Sequence, residues 1–423
     1  MPSDMSAATQ SHARRVTNVR CEMRASSNAT RRLASRVAAS PLSDRSATAE
    51  RYDVVVVGAG VIGLAVAQQL TTRGMRVLIV DRRTTIGAET SSRNSEVLHA
   101  GIHYEPGSLK AKWCVEGRRM IIEHCDRKGV RWEKIGKLIV AQDESQIPEL
   151  EAMIRRAESN GVDDTRLFAG GRLKEYEKNV SAFAGIWSPS TSIVDGSGLM
   201  ESFEYDCIRT SRGKFALNEE VLEIARARDD TFRIKTNKRV VATRRVVNAA
   251  GLWAHELCAR TMDAYDKAKT PPPPSYFARG MYCKLKKGVP APFERLVYPL
   301  PREGGLGIHF TRDVNGGFKF GPDVEWTTDL DYECDETRVP AFYESIRQYW
   351  PALRDGWLSP TYCGIRPKLI NQSGDDEPGA TTDFVLQTEA EHGAIGLVQL
   401  FGFESPGLTS CMAVAARVAD VLE

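Results

Sequence analysis

The stretch that decides the fold is Asp53-Val-Val-Val-Val57 followed at once by Gly58-Ala-Gly60-Val-Ile-Gly63. The first five residues form a continuous apolar run, the pattern of a parallel strand buried on both faces. Leu64, Ala65, Ala67, Gln68 and Leu70 then read as a helix that stops near Gly74. Met75-Arg-Val-Leu-Ile-Val80 reads as a second buried strand, closed by Asp81. Strand, glycine turn, helix, strand and terminal acid fit within about 30 residues, the span of one βαβ unit. In such a unit Gly58 makes the tight turn, Gly60 lets the backbone approach a pyrophosphate, and Gly63 lets helix and strand pack closely. The helix N-terminus offers free N–H groups and a positive dipole end to the phosphates. Asp81 is the candidate ribose acceptor, with Arg82 beside it. The reading is a dinucleotide site. A single G-x-G-x-x-G with no second copy leans towards FAD over NAD.

The chain has 423 residues, 57 basic and 55 acidic, for a net charge of +2. Charged residues at 26% and hydrophobic residues at 42% are ordinary globular usage. The longest apolar run, residues 54–67, contains three glycines and is shorter than the roughly 20 residues a membrane helix needs. There is no long basic block interleaved with aromatics, so nucleic acid is not an expected partner. Residues 1–50 carry eight arginines, no lysine and four acids. Arg-rich, Ser-rich and acid-poor is the composition of an organelle transit peptide, with a disordered tail as the alternative. Residues 1–51 are set apart from the fold on that basis. Nine cysteines at irregular spacing, without C-x-x-C or a Cys/His cluster, predict neither a disulfide framework nor a structural metal.

A second segment, Thr90-Ser-Ser-Arg-Asn-Ser-Glu-Val-Leu-His-Ala-Gly-Ile-His-Tyr104, is rich in hydroxyl and amide donors. Here the chain resembles the FAD-dependent glycerol-3-phosphate dehydrogenase and D-amino-acid oxidase superfamily, and within it the L-2-hydroxyglutarate dehydrogenases. The resemblance continues through Gly107-Ser-Leu-Lys-Ala-Lys-Trp-Cys114, Ile135-Gly-Lys-Leu-Ile-Val-Ala141, Val247-Asn-Ala-Ala-Gly251 and Ala278-Arg-Gly280. It resumes at Leu296-Val-Tyr-Pro299, Gly307-Ile-His-Phe-Thr311 and Phe320-Gly-Pro-Asp-Val-Glu-Trp326, and ends with Gly364-Ile-Arg-Pro-Lys368 and Phe401-Gly-Phe-Glu-Ser-Pro-Gly-Leu-Thr-Ser410. It covers roughly residues 52–423. One departure stands out: the resemblance implies a long helix after Asp195, whereas Gly196-Ser-Gly198 predicts a weak, truncated one.

The expected fold is α/β, α+β overall: a Rossmann-like FAD-binding domain and a second, mixed β-sheet substrate domain with interleaved segments. The expected division gives residues 52–105, 190–262 and 360–423 to the FAD domain, and 106–189 and 263–359 to the substrate or cap domain. Cofactor-binding candidates beyond the glycines and Asp81 are Arg82, Ser91, Ser92, Arg93, Asn94, Val221, Ala250, Gly251 and Gly364. Pro406, Gly407, Leu408 and Thr409 join them as a turn that opens the last helix, whose N-terminus would stabilise negative charge on a reduced flavin ring.

Oxidising a 2-hydroxy acid needs an acceptor for the C2 hydride and a base for the hydroxyl proton. His99, His103 and His309 survive as base candidates from seven histidines. His99 and His309 are preferred, without a ranking between them. Arg279 and Arg366 are the candidate carboxylate clamps because the guanidinium fork matches a carboxylate, with Lys110, Lys112 and Lys368 weaker. The resemblance implies oxidation of L-2-hydroxyglutarate to 2-oxoglutarate, a mitochondrial location, and electron transfer to a quinone or other carrier. Peripheral membrane association stays open. The competing readings are a related oxidase acting on an amine or another 2-hydroxy acid, and an inactive FAD-binding homologue.

Overall fold

The computed structural model describes residues 51–227, 229–261, 270–300, 307–374 and 377–423. The expected leader, residues 1–51, lies outside these but for Arg51. The glycine fingerprint forms the unit read from it: strand Arg51–Val57, helix Val61–Thr72 and strand Val77–Asp81. The two strands pair in parallel with Val54 opposite Val77 and Val57 opposite Val80. Val54, Val55 and Val56 are fully buried, because one face meets helices and the other a second apolar layer. Each such side chain contributes about 1.5–3 kcal/mol relative to exposure.

The parallel sheet runs in the order Gly213–Leu217, Val77–Asp81, Arg51–Val57, Val240–Asn248, Leu397–Phe401. Antiparallel strands Phe232–Thr236 and Val221–Arg226 extend one branch, as the alternating pattern of the former predicts. The long helices Leu109–Lys128 and Gly407–Leu422 pack with Val61–Thr72 on one face, burying Trp113, Ile121, Cys125, Cys411 and Val414 in one core.

A second sheet, of nine strands among the described residues, is built around the long antiparallel pair Tyr276–Leu285 and Leu358–Lys368. It extends through Leu296–Pro299 to Lys137–Ala141, which run parallel. The residue division differs from the expected one at two places. Helix Leu109–Lys128 lies in the core of the first sheet, because its apolar stripe matches the last helix. Strand Leu358–Lys368 belongs to the second sheet, where it is hydrogen-bonded along its length.

The expected truncation after Asp195 does not occur. Residues Gly196–Arg209 form a 14-residue helix. The Asp195 carboxylate accepts from the Gly198 N–H at 2.9 Å, and the Glu96 carboxylate accepts from the Gly196 N–H at 3.2 Å. Both glycines sit at the capped first turn, where helix propensity matters least and orphan donors matter most. Buried Leu199, Met200 and Phe203 hold the rest.

Gly117 sets the approach of two helices. A Cβ there would lie 2.2 Å from the Thr409 carbonyl oxygen. Glycine to alanine in a helix interior ordinarily stabilises by up to about 1 kcal/mol. Here the sign reverses. Gly117→Ala is expected to lower stability by about 1–3 kcal/mol, measured as a reduced urea midpoint.

Candidate active site

Both sheets deliver their functional residues to one cavity of about 450 Å³. Its first wall is the glycine turn. Gly58 has φ +111°, and a Cβ on it would lie 2.3 Å from the Ala249 carbonyl oxygen. A Cβ on Gly60 would lie 3.1 Å from Ser91 Oγ. Gly63 does not line the cavity. It lies beneath the turn, where a Cβ would lie 1.9 Å from the Gly58 carbonyl oxygen, so its absence allows close packing.

Asp81 ties the turn down: its carboxylate accepts from the Ala59 and Arg83 N–H groups, each at 2.7 Å. Burial raises its pKa, opposed by these two donors. The Val61 N–H donates to Ser91 Oγ at 2.9 Å, joining the helix start to the second segment. The next amide, that of Ile62, has no intrahelical partner by geometry, and Ile62 lines the cavity.

The second segment bridges the sheets. Thr90 Oγ1 donates to the Ile365 carbonyl at 3.0 Å, and Tyr362 Oη donates to the Asn94 carbonyl at 2.7 Å. Gly364 packs so closely that a Cβ would lie 2.3 Å from the Arg93 carbonyl oxygen. Arg93 stacks on Tyr332 at 4.1 Å, and its buried Nε has no partner among the described residues. Arg82 lies 3.7 Å over the Trp253 ring, whose Nε1 donates to Glu89 at 3.0 Å. Val221, Ala250 and Gly251 line the same cavity. Ser92 does not: it is exposed, and its hydroxyl donates to the Glu89 carbonyl.

At the far end Pro406, Gly407, Leu408 and Thr409 form the cavity wall at the start of the final helix. Thr409 Oγ1 accepts from the His99 N–H at 3.1 Å and donates to the Val97 carbonyl at 3.2 Å, fixing His99 against this turn. His99 and His309 both line the cavity and are 7% and 4% exposed. His309 stacks on Tyr298 with centroids 3.8 Å apart. Its Nδ1 donates to the Gly307 carbonyl at 3.2 Å, so the neutral ring carries its lone pair on Nε2. His99 Nε2 lies 3.4 Å from Ser405 Oγ, which leaves its tautomer open. Burial drives the His99 pKa well down, and burial with nearby Arg366 and lysines takes His309 to about 3.

The two expected arginines part company. Arg366 lines the cavity and has no carboxylate partner among the described residues. Arg279 lies on the opposite face of its strand. Glu325 takes its guanidinium through two hydrogen bonds of 3.1 Å, and Asp331 takes Nη1. Its charge is already matched there, and it is not brought to the cavity. Lys110 and Lys368 flank the buried carboxylate of Glu404 at 3.1 and 2.9 Å. Although burial opposes it, the two ammonium groups hold Glu404 at about 2. Lys112 is exposed.

Sequence reasoning missed Lys137, Glu404 and the Trp253–Glu89 contact. The available signal for Lys137 was a lysine opening an otherwise apolar strand. His124, one of the four histidines set aside as base candidates, is fully buried beside Ser202.

The donor set fits an FAD: a glycine cradle that side chains would fill, two helix starts, and the unpartnered Arg93 Nε. Residues 53–421 match the family model described as FAD dependent oxidoreductase. The mitochondrial L-2-hydroxyglutarate dehydrogenase of Arabidopsis thaliana is 41% identical over 410 residues, covering 88% of this chain and 83% of that one. The human protein of the same name is 32% identical, covering 90% of each. The FAD-bound L-alpha-glycerophosphate oxidase of Mycoplasma pneumoniae superposes with a TM-score of 0.79 at 24% identity, covering 88% of this chain and 95% of that one.

Two outcomes test the geometry. His309 is buried neutral with a folded pKa of about 3, below its unfolded value of about 6.5. The unfolded chain therefore binds the proton first, and stability present above pH 6.5 is lost as pH falls towards 3. Replacing it by His309→Phe should flatten the fall of Tm between pH 6.5 and 4.5, by up to about 1.4 kcal/mol per pH unit. Asp81→Ala should leave a folded protein with lower flavin content per chain, read from the visible-to-280 nm absorbance ratio.

Proposed function

The chain belongs to the FAD dependent oxidoreductase family, and on that premise we propose that it oxidises L-2-hydroxyglutarate to 2-oxoglutarate. The observation that carries the substrate reading is Arg366, a cavity cation with no carboxylate partner among the described residues. Asp323 and Glu404, which feel its charge, are committed to Arg338 at 2.6 Å and to Lys110 and Lys368. A guanidinium in that state takes a carboxylate bidentately. Lys110 and Lys368 share the single charge of Glu404, so a second substrate carboxylate also meets a positive surplus. An amine substrate would want the reverse, a carboxylate free to pair with ammonium.

FAD would be held by Gly58, Gly60, Asp81, Ser91, Arg93 and the 406–409 turn, and when bound supplies the acceptor for the C2 hydride, handing electrons to a quinone or other carrier. The protein's own work is positional and acid–base. Arg366 orients the carboxylate next to C2. His309 Nε2 accepts the hydroxyl proton, because its Nδ1 is already committed to Gly307. The low pKa of the free site keeps this nitrogen unprotonated, and entry of a dianion raises its basicity when it is needed. Tyr104, Tyr282 and Tyr298 line the cavity and exclude water. The positive dipole end of helix Gly407–Leu422 favours negative charge at its start. The Arg-rich, acid-poor composition of residues 1–50 and the names of the relatives support a mitochondrial location.

The deciding experiment is an anaerobic visible spectrum before and after adding L-2-hydroxyglutarate. The flavin band is expected to bleach with this enantiomer and not with its mirror image or lactate. A flavin band that no hydroxy acid bleaches would overturn the substrate assignment and favour the inactive homologue. Bleaching by an amino acid instead would favour the amine oxidase. In steady state, Arg366→Met should lower kcat/KM roughly 100-fold, mostly through KM. His309→Gln should lower kcat by about 10²–10⁴.

A further inference from the structure

Lys137 sits at the start of strand Lys137–Ala141 and is 1% exposed. Its Nζ lies 3.1 Å from His103 Nε2 and 4.7 Å over the Tyr298 ring. No carboxylate of the described residues pairs with it. His103 and Tyr298 both line the active-site cavity, so the ammonium stands directly behind that wall. A buried cation without a counter-ion costs stability, and nothing in the packing of an apolar strand calls for one.

We propose that Lys137 is a positioning residue for the oxidation: its ammonium fixes the tautomer of His103 and supplies the standing positive charge that the anionic substrate meets at the histidine end of the cavity. This rests on the hydroxy-acid reading above. An ammonium only donates, so His103 Nε2 accepts and the neutral ring carries its proton on Nδ1. That nitrogen is buried and has no partner among the described residues. His103 is therefore a hydrogen-bond donor, distinct from the lone pair that His309 presents on Nε2.

The groups facing Lys137 come from every element packed around it. Cys114 lies on helix Leu109–Lys128, Tyr298 on strand Leu296–Pro299, His99 and His103 on the segment before the helix, and His309 before strand Phe310–Arg312. Arg156 adds its charge near His103, and Arg366 and Lys319 add theirs near His309. Burial pushes the Cys114 thiol up to about 12, so it stays neutral and does not balance the ammonium. Burial also brings Lys137 itself down to about 8, which leaves it mostly charged at neutral pH. Its charge depresses all three histidines.

The test uses the FAD-loaded protein with three variants: Lys137→Met removes charge and donor, Lys137→Gln keeps a donor, and Lys137→Arg keeps the charge. In substrate-free protein labelled with ¹⁵N-histidine, wild type and Lys137→Gln should show one His103 nitrogen fixed as an unprotonated acceptor. In Lys137→Met the two nitrogens should move towards averaged shifts. In turnover, Lys137→Met and Lys137→Gln should move the acid limb of kcat/KM to higher pH by about one unit and raise KM about tenfold. Lys137→Arg should restore the limb. Thermal midpoints of Lys137→Met should hold or rise, since a lone buried charge has gone. Unchanged histidine shifts and an unchanged acid limb in Lys137→Met would overturn the proposal. So would equal losses in all three variants, tracking a fall in Tm. The nitrogen shifts need no substrate, so a failure of the L-2-hydroxyglutarate reading leaves them decisive for Lys137.

Discussion

A side chain at Gly58 would drive a Cβ to 2.3 Å from the Ala249 carbonyl oxygen, and one at Gly63 would strike the Gly58 carbonyl at 1.9 Å. The whole cofactor end of the molecule depends on those two absences. They let strand Arg51–Val57 turn straight into a helix while lying against the end of its parallel neighbour, Val240–Asn248. Two strand ends then open on the same space, and the start of the first helix lines it with Val61 and Ile62. Asp81 and Ser91 stiffen the turn by accepting from the Ala59 and Val61 N–H groups.

The substrate end obeys a different constraint, the balance of buried charge. Glu404 is fully matched by two lysines, and Arg279 by two carboxylates. Those groups are structural in the sense that their charges are spent. Arg366 and Lys137 have no carboxylate partner among the described residues, and burial together with the Lys137 charge lowers the pKa of all three histidines. Such an arrangement costs folding free energy, and the proposed dicarboxylate would complete it. The same accounting separates a positively biased cavity that accepts a dicarboxylate from one suited to an amine.

Much of the cofactor half was legible in the residues. A continuous valine run, three glycines at fixed spacing and a terminal acid each have one local job, and local jobs survive translation from sequence to structure. The helix after Asp195 was not legible. Gly196 and Gly198 lower helix propensity, but the Asp195 and Glu96 carboxylates satisfy the amides of that turn, and Glu96 is 100 residues away. Ser91 and Ser92 are chemically alike in sequence. Only the fold points one at the first helix and the other at solvent.

The two arginines mark the line between what sequence decides and what tertiary structure decides. Ala278-Arg-Gly280 and Gly364-Ile-Arg366 each place an arginine near a glycine, and by themselves they are equivalent candidates. Sequence determined that a carboxylate clamp would be an arginine and named both as candidates. The antiparallel register chose between them: Ala278 pairs with Arg366, Gly280 with Gly364, and Tyr282 with Tyr362. Of these, Gly280, Tyr282, Gly364 and Arg366 line the cavity, while Met281 and Cys363 pack in the second sheet's core and Arg279 pairs with Glu325. Side chains alternate along a strand with period two, so a shift of one residue would have exchanged the roles. That register is set by contacts spread over the whole strand pair, and no short stretch of sequence contains it.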